Sequence, residues 1–290
     1  MNSSDSLGHQ KAEIIKKFGE WTNHNIRLAG ETHTIDKEAV TGAEVKLRRV
    51  AQTIADWSGQ SFENLRVLDL ACLEGLYGIE MALQGAKVVA IEGREANVEK
   101  ARFAKEALSL ENIEFFQDDV RNLSAEKYGK FDVVLCLGIF YHLDAPDVFQ
   151  FLESIAEVCH RLAVIDTHVS AVAEKCYAYK GNSYWGRVYP EHSPDSTPEE
   201  RAKSLWSSVD NINSFWLTRP SLYNLLGRVG FSSVYECHSP MVKKYEVMRA
   251  RQEADRSTFV AVKGQPVRLL SSPLMNELPQ EDWPEKEDLQ

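Results

Sequence analysis

The stretch RVLDLACLEGLYGIEMALQGAKVVAIEGR, residues 66–94, decides the architecture. Arg66–Leu70 is a short apolar run carrying one acid, Asp69, near its end, the pattern of a buried strand. The turn Ala71-Cys72-Leu73-Glu74-Gly75 follows, and then a helix is expected over 76–85. A second apolar run, Lys87–Glu92, stops at an acid followed by Gly93. Strand, glycine-bearing turn, helix and strand make the repeating unit of a parallel sheet, because parallel neighbours need a crossover. Ligands of such sheets collect outside the carboxyl ends of the strands. There the N–H groups of the first turn face them, and an acid ending the second strand can accept from two ribose hydroxyls. The stretch therefore predicts a nucleotide-sized slot.

Outward from it the rhythm continues. A helix over 95–109 leads to a strand at 113–118, a short polar helix near 122–128 and a strand at 131–138. A helix over 145–160 and a strand at 162–167 complete five apolar strands. After His168 the alternation breaks for about fifty residues (169–219), dense in Tyr, Trp, Ser and Asn and punctuated by Pro190, Pro194 and Pro198. A loop-rich insertion of this length is expected to be a substrate cap. The pattern resumes with a helix ending near Gly230 and strands at 231–238 and 257–264, which can pair antiparallel at the sheet edge. Upstream, residues 1–60 predict an arm and helices acting as a lid, including a long helix over 36–58 with Val40, Val45, Leu47, Val50, Ile54 and Trp57 on its apolar face. Trp21, His24, Asn25, Gly30, Thr32 and His33 stand out in the arm, which either packs over the core by Trp21 and Ile26 or forms part of that lid. Residues 266–290 form an acidic tail, expected to be extended. The fold class is thus α/β: a doubly wound, mainly parallel seven-stranded sheet, helices on both faces, an antiparallel C-terminal hairpin and a cap inserted after the fifth strand. The core divides into 61–168 and 220–265.

Bulk properties narrow the function classes. A formal charge of −10 without a basic run disfavours gripping a polyanion, since nucleic-acid affinity comes largely from Lys and Arg on phosphates. No window approaches the roughly 18 apolar residues of a membrane helix, and the N-terminus has no signal-peptide pattern, which points to a cytoplasmic protein. Five cysteines with no C-x-x-C pair are expected to be reduced and inert, with no metal.

The turn also discriminates between nucleotides. A nicotinamide dinucleotide would need G-x-G-x-x-G, whereas this turn holds an acid, Glu74, where a pyrophosphate would sit. Glu74 suits a cationic ligand, and a sulfonium carrying an amino acid is one.

Taken together, Asp69-x-Ala-Cys-x-Glu-Gly, the strand-ending Glu92, Asp118-Asp119-Val120 and LCLGIFYHL (135–143) resemble the four ordered signatures of class I S-adenosylmethionine-dependent methyltransferases. The resemblance covers roughly residues 60–265. It implies a methionine subsite at Asp69, Ala71, Cys72, Glu74 and Gly75, and ribose contacts at Glu92 with Gly93. It further implies an adenine edge at Asp118, Asp119 and Val120, and a far wall at Leu137, Gly138 and Tyr141. The chain departs from the usual D-x-G-x-G by placing Ala71 and Leu73 at glycine positions. The arm, the YHL triplet and FWLT-x-x-SL (215–222) further resemble a bacterial subgroup that includes tRNA wobble-uridine modifying enzymes and small-molecule methyltransferases.

Methyl transfer from a sulfonium is an in-line displacement, so the protein mainly supplies alignment and excludes water. A protonated oxygen, nitrogen or sulfur acceptor additionally needs a base. His168 and His142, following the fifth and fourth strands, are the candidates, with Asp166 able to orient a histidine or cap a turn. Trp185, Arg187 and Tyr189 are the candidate substrate contacts, and Arg187 can pair an acceptor carboxylate or Glu191. The expectation is a methyltransferase acting on a small-molecule acceptor, with S-adenosylmethionine as cofactor and S-adenosylhomocysteine as product. An RNA-modifying enzyme and a non-catalytic S-adenosylmethionine-binding protein are the alternatives.

Overall fold

The computed structural model describes residues 3–39, 41–237, 255–265, 267 and 269–271. The expected tail from 272 onward and the charged segment 239–254 lie outside the described residues, as does the last residue of the expected strand at 231–238.

The 66–94 stretch folds as read. Strand β1 is Arg66–Leu70, helix α3 (numbered after α1, Ser3–Phe18, and α2, Ala43–Ser58) is Leu76–Leu83, and strand β2 is Lys87–Glu92. Helix α4 (Glu95–Ala107), β3 (Ile113–Gln117), α5 (Ala125–Tyr128), β4 (Phe131–Leu137), α6 (Asp147–Val158) and β5 (Cys159–Val169) continue the alternation. Strand β5 is longer at both ends than its apolar run. β1 pairs in parallel with β2 and β4, in registers Leu68↔Val89 and Leu68↔Val134, and β2 pairs in parallel with β3. β6 (Lys175–Tyr179), β7 (Asn182–Pro190), α7 (Pro198–Lys203), β8 (Asn213–Leu217), α8 (Arg219–Arg228), β9 (Ser233–Cys237) and β10 (Asp255–Val262) follow. The large sheet has seven strands in the order β3-β2-β1-β4-β5-β10-β9, with β10 paired antiparallel to β9.

Two compact units divide the chain: residues 1–137 with 158–162, and residues 138–157 with 163–290. In the first unit, Val67, Leu68, Val133, Val134 and Leu135 are fully buried, as strands covered on both faces require. Helix α2 begins at Ala43, later than expected. Gly42 at its N-cap has φ 90°, outside the helical region, and Asp36 Oδ1 accepts from the Glu38 N–H at 2.9 Å, holding the preceding residues in a turn. Val45 and Trp57, expected on the apolar face, are instead exposed.

In the second unit the expected loop-rich insertion is largely a three-stranded antiparallel sheet, β6-β7-β8. Its first hairpin turns on two residues, Lys180 (φ 49°) and Gly181 (φ 79°), between the paired Tyr179 and Asn182. Two consecutive left-handed residues give the turn whose twist matches a hairpin. β-Favouring Tyr177, Tyr179, Tyr184, Trp185, Val188, Phe215 and Trp216 supply the strands. Gly186 sits where a Cβ would lie 2.3 Å from the Trp216 carbonyl oxygen, so only glycine allows β7 and β8 to pack this closely.

Candidate active site

The first unit gathers the turn and its acids. Ala71 (φ 51°), Leu73 (φ 50°) and Gly75 (φ 89°) all take left-handed backbone, so the turn has the shape that glycines usually provide, made here partly with L side chains. The Cys72 N–H donates to the Ile91 carbonyl at 3.0 Å and the Leu73 N–H to Glu92 Oε2 at 2.9 Å, tying the turn to the end of β2. Glu92 Oε1 accepts from the Arg94 N–H at 2.9 Å. Burial pushes the Glu92 carboxyl above its ordinary value, against the pull of these N–H groups. Asp69 Oδ2 accepts from the Gly78 N–H at 2.8 Å in the first turn of α3, and its pKa is pushed up to about 7, chiefly by burial. Two acids with strained charge thus face one turn, an arrangement that favours a ligand able to neutralise or hydrogen-bond them.

Glu74 has a different role from the one expected. Its carboxylate is fully buried and accepts from the N–H groups of Thr22 (2.7 Å), Asn23 (3.2 Å) and His24 (3.1 Å) and from the Thr22 hydroxyl. Lys100, itself buried on α4, lies 3.4 Å away and also donates to the Glu20 carbonyl. The charge is consumed inside the protein, so Glu74 fastens the arm and is not a contact for a sulfonium. Trp21 completes the anchor against Phe103. His24 Nδ1 accepts from the Leu76 N–H at 3.1 Å, capping α3 with a neutral ring, and burial lowers its pKa to about 3. Trp21 and Ile26, the expected anchors of the arm, are both buried, and His24 joins them as a cap.

Downstream, Asp118 accepts from Asn122, Lys127, Tyr128 and the Asp119 N–H. Burial opposes its charge, but these bonds win and hold its pKa near 2. Asp119 caps the following turn through the Arg121 N–H and grips its guanidinium, while Val120 is buried. Gly93 follows the end of β2, and Leu137 ends β4.

The second unit gathers the other candidates. Gly138 (φ 111°) leads into a single turn, Phe140–His142. The Tyr141 ring lies edge-on to His168 (4.6 Å) and Trp216, and Trp216 stacks with both His168 (4.7 Å, 11°) and Tyr189 (4.2 Å, 15°). Trp216 Nε1 donates to the Tyr141 carbonyl at 2.9 Å, locking the stack to the turn. Asp166 takes Arg256 through Nε at 2.6 Å and the Thr258 hydroxyl at 2.9 Å, and Arg256 also donates to the Tyr141 hydroxyl at 3.2 Å. Arg187 pairs with Glu174 at 3.8 Å, not with Glu191. Trp185, Arg187 and Tyr189 alternate along β7 onto one face, and of the three it is Tyr189 that stacks in the aromatic cluster. Glu191 belongs to His142, whose Nδ1 lies 3.0 Å from both carboxylate oxygens. Sequence reasoning missed Arg256 and Lys100, whose partners lie 90 and 26 residues away, and it missed Trp216 although the FWLT segment contains it.

Comparison with known proteins adds the family. Residues 67–161 match the family described as "Methyltransferase domain". The ubiquinone biosynthesis O-methyltransferases of Acinetobacter baylyi and Azotobacter vinelandii are 34% and 37% identical over 104 and 97 residues, 36% and 33% of this chain. The match spans about two fifths of the length of these curated relatives, 41% and 39%. Among solved structures, the N-terminal domain of EvdMO1 with SAH bound superposes with a TM-score of 0.68 at 22% identity, over 91% of this chain and 98% of that one. The 1,6-didemethyltoxoflavin-N1-methyltransferase of Burkholderia thailandensis gives 0.52 at 16% identity, over 91% and 92%. A seven-stranded sheet ending in an antiparallel pair, a bent acidic turn after β1 and this match agree: residues 67–161 match a methyltransferase domain, and the chain has the class I methyltransferase fold.

Proposed function

We propose that the chain is an S-adenosylmethionine-dependent methyltransferase that acts on a small molecule through an oxygen, nitrogen or sulfur nucleophile. The observation that carries this reading is the turn 71–75, bent by three left-handed residues and tied through the Leu73 N–H to the buried Glu92. The donor set fits an adenosyl amino acid. Glu92 keeps acceptor capacity beyond its backbone partners, and the raised pKa values of Asp69 and Glu92 mark carboxyls that a cation or a pair of hydroxyls would relieve. S-adenosylmethionine, when bound, supplies a methyl group on a positively charged sulfur. The protein's own work is to hold the ribose at Glu92, shape the turn and keep the acceptor aligned away from water. The relatives named as O-methyltransferases of ubiquinone biosynthesis and the formal charge of −10 favour a small acceptor over a polyanion.

Calorimetric titration with S-adenosylhomocysteine tests the reading. The wild-type protein is expected to bind it, and Glu92→Ala to bind it about 1–3 kcal/mol more weakly, the range for losing charged hydrogen bonds. Equal affinities would remove Glu92 from the ribose subsite, and absence of binding by the wild type would sink the assignment.

A further inference from the structure

Within the first unit, the turn after β1 is gripped by the N-terminal arm as well as by β2. Glu74 sits between Leu73 (φ 50°) and Gly75 (φ 89°), both in left-handed backbone, and it is fully buried. Its two oxygens share three consecutive N–H groups of the arm: Oε1 takes that of Thr22, and Oε2 takes those of Asn23 and His24. His24 returns to the turn, its Nδ1 accepting from the Leu76 N–H that opens α3. Lys100 faces Glu74 and also holds the Glu20 carbonyl. The arm is itself braced. Thr34 Oγ1 donates to the His24 carbonyl and accepts from the Ile26 N–H, both at 2.7 Å, and Asn25 Nδ2 donates to the carbonyls of Asp36 and Ala39. Lys11, on α1, reaches the His33 carbonyl at 2.7 Å. On the other side of Glu74 the Leu73 N–H meets Glu92 Oε2 at 2.9 Å. A line of direct contacts thus runs from Thr22–His24 through Glu74 and the bent Leu73 to the acid that ends β2. L residues keep left-handed backbone only where their surroundings over-determine it. The single bond from Leu73 to Glu92 returns no more than that bend costs, so the grip on Glu74 is needed to hold it.

We propose that Thr22–His24 is a positioning element of the donor site: by gripping Glu74 it keeps the turn bent, and through the Leu73 N–H it orients the Glu92 carboxylate for the ligand. This rests on the reading of the turn and Glu92 as the S-adenosylmethionine subsite. It adds that the order of the arm and the affinity for the ligand are one coupled equilibrium. Such coupling is reciprocal, so a ligand held through Glu92 must tighten the arm by the same factor that the arm tightens the ligand.

Amide hydrogen exchange and calorimetry with S-adenosylhomocysteine on the full chain test this. Saturating ligand is expected to slow exchange at Thr22, Asn23 and His24 by about tenfold or more. The buried Val50 and Ile54 of α2 should slow less, which separates local tightening from general stabilisation. Glu74→Gln keeps the shape but removes the charge and turns one acceptor into a donor facing the N–H groups of the arm. It should bind S-adenosylhomocysteine about tenfold or more weakly while its far-UV circular dichroism is unchanged. A staple with no part in binding would lower the unfolding midpoint of Glu74→Gln and leave its ligand affinity equal to that of wild type. That result, or exchange at 22–24 slowed no more than in α2, would overturn the proposal. The exchange measurement uses the wild type alone, so it decides the matter even where Glu74→Gln fails to fold. Wild type failing to bind S-adenosylhomocysteine would overturn the methyltransferase reading, and the proposal with it.

Discussion

At the scale of single residues, the turn after β1 shows what the chain tolerates to keep its shape. An L residue in the left-handed region costs about 1–2 kcal/mol, and Ala71 and Leu73 both sit there. Ala71→Gly should therefore raise stability by about 0.5–1 kcal/mol, the strain relieved less the extra freedom of the unfolded chain. Gly75→Ala should do the opposite and by more, because φ is 89° and a Cβ would lie 3.0–3.1 Å from Ala101 and Phe115. Denaturant unfolding of both variants checks the pair, and a destabilised Ala71→Gly would show that the methyl group contributes packing the strain argument ignores. The acids of this turn were legible because their spacing is local. Asp69 and Glu92 stand at strand ends that the apolar pattern marks, and Asp69 meets Gly78 nine residues on. Glu74 was legible as an acid but not as an anchor, since its partners come from Thr22–His24 about fifty residues earlier and from Lys100. Nothing in a local pattern reveals which distant backbone will satisfy a buried charge.

At the scale of elements, the second-unit sheet depends on close backbone approach. Gly186→Ala would place a methyl group against the Trp216 carbonyl, and backbone cannot yield as a flexible side chain can. We expect it to cost at least about 2–3 kcal/mol and to disturb the Trp216–His168–Tyr189 stack, read out as a shift in tryptophan fluorescence with a lower unfolding midpoint. Unchanged fluorescence and stability would mean that β7 and β8 can separate freely. The alternating βα elements were readable because each apolar run is bounded by turn residues. The β6–β7 hairpin was hidden in a segment rich in Pro and Ser, and its one local mark is Gly181 beside Lys180 between aromatic runs. The start of α2 was overrun because amphipathic spacing continues through residues 36–42, where Asp36 and Gly42 impose a turn.

At the scale of the whole molecule, two buried titrations oppose one another. His24 has a pKa near 3 in the fold against 6.5 when free, so the unfolded chain binds the extra proton first; stability is full above pH 6.5 and falls by about 5 kcal/mol as pH drops toward 3. Asp69, with its pKa raised from 3.8 to about 7, acts in the reverse sense. There the fold binds the proton more tightly, and about 4 kcal/mol present below pH 4 is lost as pH rises to 7. Between about pH 4 and 6.5 the two slopes nearly cancel. Asp69→Asn removes one of them: the ligand-free variant should melt higher than wild type at pH 8 and lose stability more steeply on acidification. Parallel melting curves across pH 4–8 would show that Asp69 ionises without penalty. The strands and their antiparallel edge were visible as a rhythm of apolar runs. The assembly of His142, Glu191, Tyr141, His168, Trp216 and Arg256 was not, because it draws on five separate segments of one unit. The anchoring of Thr22–His24 on Glu74 also has a practical side for handling the protein. A protease nick or a start codon placed after residue 24 would strip a carboxylate of three backbone donors and leave Lys100 its nearest partner. Shortened versions should therefore keep everything from Glu20 onward, and a purification tag is best borne ahead of α1.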